Sequence, residues 1–75
     1  MHYTAFCGNY HHTDIGNYTS YGIKFERSDC QHCIHDISVN EQIVKNMADL
    51  FNQYELEPEH FQDAVEDMLI QCGSI

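Results

Sequence analysis

Seventy-five residues allow one domain, of a size at which a single core yields about a few kcal/mol and a metal, a disulfide or a second subunit often adds to it. A hydrophobic content of 43% supports a globular fold and argues against disorder. The net charge of −9, with Lys24, Arg27 and Lys45 the only Lys and Arg residues, excludes direct binding to nucleic acid or an anionic membrane.

No apolar run reaches membrane-spanning length and no export-signal pattern is present, so a soluble cytoplasmic protein is expected. In that compartment four cysteines read as thiols or metal ligands rather than as a disulfide frame.

In chain order, His2 to Tyr10 mixes aromatics with Thr, Ala and Cys and predicts a first strand. Asn9 to Asn17, with Asp14, Gly16 and Asn17, carries turn chemistry. From Tyr18 to Glu26, Tyr21, Ile23 and Phe25 alternate with Ser20, Gly22, Lys24 and Glu26, the pattern of a strand with one buried face. Arg27 to Gln31 predicts a hairpin turn. A third strand from about His32 to Ile37 would place Cys33, His35 and Ile37 on one face and Ile34 on the other.

Ser38 to Cys72 then reads as two amphipathic helices. Ile43, Val44, Met47, Leu50, Phe51 and Tyr54 form one apolar stripe, and Phe61, Ala64, Val65, Met68, Leu69 and Cys72 repeat the rhythm. Ser38 with Glu41 makes a capping box, Asn40 is an alternative cap, and Pro58 suits the first turn of the second helix. The expected fold is α+β within one domain spanning 1–75. A three-stranded antiparallel meander is followed by two helices packed on one face, β-β-β-α-α. Phe51 and Phe61 should meet against Ile23 and Phe25.

Several of these residues also carry a resemblance. Tyr21-Gly22-Ile23, Asp36-Ile37-Ser38, a helix with Val44 and Asn52, Glu55-Leu56, Pro58-Glu59-His60-Phe61 and Val65-Glu66-Asp67-Met68-Leu69 together resemble a family of short uncharacterised proteins of Firmicutes. The resemblance runs from roughly Tyr18 to Ile70 and leaves out the segments around Cys7 and Cys30. It implies a small α+β domain and brings no catalytic residue with it.

The residues nearest to metal chemistry are Cys30-Gln31-His32-Cys33, with His35 two positions on and Cys7, His11 and His12 upstream. Zinc takes four tetrahedral sulfur or nitrogen ligands, and Cys7, Cys30, Cys33 and His35 are the candidate set for a structural ion. On the opposing reading, Cys7 and Cys33 are small core hydrophobes and the histidines are solvated. A regular third strand would turn Cys30 and Cys33 to opposite faces. No other cofactor is expected. A redox role is disfavoured because this Cys-x-x-Cys lies between strands rather than at a helix N-terminus.

Catalysis has little support. His35 and Asp36 are neighbours on a strand and should point to opposite faces, so they are not expected to form a dyad. There is no Gly-rich phosphate loop, no nucleophile elbow and little room for a deep pocket.

The charge distribution says more. Residues up to Ile37 carry a net −2, whereas those from Ser38 onward carry eight acidic residues against Lys45, a net −7. Glu55, Glu57 and Glu59 suit the N-terminus of the second helix, whose dipole favours negative charge. Asp63, Glu66 and Asp67 have no such reason, and Glu59-Asp63-Asp67 is a like-charge ladder at i, i+4, i+8. One reading is a solvated face that aids solubility. The other is a partner-binding surface made by Glu55, Glu57, Glu59, Asp63, Glu66 and Asp67.

The expected function is therefore a non-enzymatic, acidic protein-binding module that docks on a basic groove of a nucleic-acid enzyme. In size and charge it is similar to phage-encoded inhibitors, anti-CRISPR proteins among them. Two alternatives stand beside it. One is a bacterial regulatory or housekeeping domain that binds a protein partner or forms a homodimer, and the other is a module stapled by structural zinc.

Overall fold

The computed structural model describes residues 2–71. The three strands are β1 (Tyr3–His12), β2 (Gly16–Arg27) and β3 (Cys30–Ser38). Two helices follow, α1 (Glu41–Gln53) and α2 (Phe61–Gln71), the second preceded by a 3-10 turn at Pro58–His60. The sheet is antiparallel in the order β1-β2-β3, so the expected β-β-β-α-α arrangement is observed. Among the described residues no helix is long and apolar enough to cross a membrane. Cys72, assigned to the second apolar stripe, lies outside the described residues.

The strands are longer and the turns tighter than the sequence predicts. β1 and β2 pair without interruption from Tyr3↔Phe25 to His12↔Gly16, leaving 13–15 as the turn in place of the longer Asn9–Asn17 segment. Gly16, at φ 79, takes the left-handed conformation that closes such a turn. Ser28 and Asp29 alone join β2 to β3.

One face of the sheet carries the core. Tyr3, Ile23 and Phe25 pack against Val44, Met47, Ala48 and Phe51 of α1 and Phe61 and Val65 of α2, all of them buried. The Phe51 and Phe61 rings meet at 6.0 Å, edge to face, as expected. The residue that joins them is Tyr3, which the sequence places in the first strand and, with Tyr10, Tyr18 and Tyr21, offers as an alternative sheet interface; instead it is buried in the core. Tyr3 lies 5.4 Å from Phe51, 5.1 Å from Phe61 and 4.9 Å from Phe25. Its hydroxyl donates to the Leu56 carbonyl at 2.7 Å, which satisfies the polar end of a buried ring.

α1 also closes the exposed edge of β1. The Tyr3 N–H donates to Asn52 Oδ1 and Asn52 Nδ2 donates to the Tyr3 carbonyl, both at 2.8 Å. One carboxamide thus takes the place of a neighbouring strand where edge groups would otherwise lack partners. At the other end of α1, Asn40 is the cap, its Oδ1 accepting from the N–H groups of Gln42 and Ile43. Ser38 supports it one step back by accepting from the Asn40 N–H.

β3 is not regular. Its register runs Arg27↔Cys30, Phe25↔His32, Ile23↔Ile34 and then jumps to Tyr21↔Ser38. Two extra residues are thereby accommodated opposite Gly22, with Asp36 at φ 54. The bulge presses on Gly22, where a Cβ would meet the Ile34 carbonyl oxygen and the Phe6 ring. It also overturns the expected alternation, because Ile37, expected on the same face as Cys33 and His35, packs against the core.

Candidate functional site

All six residues of the expected acidic surface are exposed, but they divide between two settings. Asp63, Glu66 and Asp67 line the outward side of α2, whose inward side is Phe61 and Val65. Glu59 falls in the 3-10 turn, so Asp63 and Asp67 are the only ladder members inside the regular helix. The described ion pairs are Lys24–Glu26, Lys45–Glu41 and His60–Glu59, at 3.5–3.8 Å. None of them engages Asp63, Glu66 or Asp67.

Glu55 and Glu57 sit in the connector between the helices, on one rim of a cleft of about 380 Å³. Arg27 and His2 also line it, and the Arg27 guanidinium lies 5.6 Å from the centre of the Phe25 ring. Burial, followed by the negative field of Glu57, raises the pKa of the Tyr3 phenol, and Arg27 partly offsets this. The mixed charge of this cleft sets it apart from the uniformly negative stripe of α2.

The four expected zinc ligands are not brought together. Cys7 lies opposite Tyr21 and Cys30 opposite Arg27, six positions along β2, or roughly 20 Å apart. Both are on the helix-covered side, whereas Cys33, opposite Lys24, is on the other. His35 shares that second side but turns its ring to Phe6 and Tyr10. Among the described residues no group of three or more His, Cys, Asp or Glu side chains could hold a metal ion.

The uncovered face of the sheet holds an arrangement that strand alternation hides. Phe6, Tyr10, Tyr18, His35 and Asp36 come together there. The Tyr10 hydroxyl lies 3.4 Å from His35 Nδ1, and the Tyr18 hydroxyl donates to Asp36 Oδ2 at 2.6 Å. That bond, with a smaller contribution from Ser20, lowers the pKa of the Asp36 carboxyl, and the same bond raises that of the Tyr18 phenol. His35 and Asp36, expected on opposite faces, share one face because the bulge rotates the chain between them. The sequence held one signal of this, a glycine in the middle of an otherwise well-patterned strand.

The model of a family of unknown function (DUF6514) matches residues 1–71. The chain belongs to that family. The match takes in β1 and the segments around Cys7 and Cys30, beyond the Tyr18–Ile70 span that carried the sequence resemblance. No curated protein and no solved structure matches the chain.

Proposed function

We propose that this domain is a non-enzymatic protein-binding module whose acidic α2 stripe docks on a basic protein surface. The observation that carries this reading is the outward row of Asp63, Glu66 and Asp67, exposed and without a Lys or Arg partner among the described residues. Folding does not call for it, since Phe61 and Val65 do the packing and the repeated charges repel at about 0.2–0.5 kcal/mol per i, i+4 pair. A basic groove that ordinarily holds nucleic acid is the surface such a row fits best. An anti-CRISPR-like inhibitor encoded by a phage or mobile element is the narrower form of this reading. The partner would be met in the cytoplasm.

The test is capture from the lysate of a Firmicutes bacterium, the group to which the sequence resemblance points, across a salt series. Retention of one basic protein that weakens steeply with salt, and is displaced by added nucleic acid, is the expected result. Capture that ignores salt would set the acidic reading aside. The other sheet face, with Phe6, Tyr10 and Tyr18 half-buried and no helix over them among the described residues, would then be the interface of a regulatory domain.

A further inference from the structure

Cys30 and His32 lie two residues apart on β3, on its helix-covered side, and their side chains touch. Cys30 Sγ is 3.2 Å from His32 Nε2. Two donors bound to one tetrahedral zinc, at about 2.3 Å for sulfur and 2.0–2.1 Å for nitrogen, stand roughly 3.6 Å apart. A small rotation of either side chain therefore opens the pair to the separation a metal requires. The imidazole rests beside the buried Phe25 ring, 6.2 Å between centroids, and Cys30 is half-buried against the core. Packing thus anchors the Cys30 side of the pair, while His32 is exposed and presents its ring to solvent.

We propose that Cys30 and His32 form a two-donor half-site for zinc, completed by the same two residues of a second copy of the chain. Donor number is the reason for the second copy. A structural zinc site takes four ligands, and among the described residues no third side chain of one chain joins this pair. Two copies supply Cys₂His₂, one of the standard structural sets. Position allows it, because β3 is an edge strand and, among the described residues, no strand pairs with its outer side. Charge makes association conditional on the metal, since each chain carries −9 and two bare chains repel.

The test uses the full chain, stripped of metal and kept reduced so that no intermolecular disulfide forms. Sedimentation equilibrium is followed while zinc is added. The expected result is a doubling of mass that saturates at one zinc per two chains and is reversed by chelator. Cobalt in place of zinc should give the strong visible absorption of a tetrahedral thiolate site. Cys30→Ser and His32→Asn should each abolish the doubling, while Cys7→Ser and Cys33→Ser should leave it intact. Circular dichroism on all four variants shows whether each keeps the fold. A chain that stays monomeric in excess zinc, or one that doubles equally well in a folded Cys30→Ser or His32→Asn variant, would overturn the proposal.

Discussion

Tyr18 and Asp36 show how one hydrogen bond can hold an irregular backbone. The phenol stabilises the ionised carboxylate, so the Asp36 pKa falls below its value in an unfolded chain. The contribution to stability is then present above the ordinary carboxylate range and is lost as pH falls through the lowered pKa. Tyr18→Phe should return the carboxyl toward its ordinary pKa, which a carboxyl-carbon NMR titration would show, and the onset of acid unfolding should move to higher pH. Tyr3 is the second residue on which much depends. Tyr3→Ala should cost about 3–5 kcal/mol, and Tyr3→Phe, which loses only the bond to Leu56, about 1 kcal/mol by denaturant unfolding. Neither role was legible in the sequence. Tyr3 has no periodic neighbours to mark it as core, and the Tyr18–Asp36 contact depends on a bulge that shifts register by two.

The elements themselves were largely legible, because each rests on a local pattern. Ile23 and Phe25 of the β2 alternation, with Tyr21 half-buried beside them, and Val44, Met47, Phe51, Phe61 and Val65 of the helical stripes are buried, whereas Leu50 and Tyr54, expected on the first stripe, are exposed. What stayed hidden was where periodicity breaks. At the end of α1, the Leu56 N–H donates to the Phe51 carbonyl and the Glu55 N–H to the Asn52 carbonyl, with Glu55 at φ 50. This is a Schellman ending with glutamate where glycine is the usual residue. Glu55→Gly should therefore raise stability, by about 1 kcal/mol in thermal unfolding, since the left-handed conformation costs a side chain roughly that much. Gly22 makes the opposite case. Gly22→Ala would push a methyl into the Ile34 carbonyl and should cost about 1–3 kcal/mol, with the bulge and the Tyr18–Asp36 contact the first structure lost.

Over the whole molecule, the two faces of the sheet meet different fates. One is sealed by helices whose outer surface is acidic, and the other lies open with its aromatic and polar cluster. The candidate ligands for zinc were misread at this scale, because sequence proximity could not show that β2 separates Cys7 from Cys30 or that Cys33 faces away. The acidic stripe was read correctly as exposed, because charge at helical spacing opposite a buried stripe leaves it no other place. The docking role proposed for it has a direct measurement. Asp63→Asn, Glu66→Gln and Asp67→Asn, made together, are compared with the unaltered chain for melting temperature and for association rate with the captured partner, at about 0.1 M and 1 M salt, where the Debye length is about 10 Å and 3 Å. The account predicts a melting temperature that is unchanged or higher, an association rate well below that of the unaltered chain at low salt, and near-equal rates at high salt. A neutralised variant that folds normally and binds its partner as fast as the unaltered chain at low salt would contradict it.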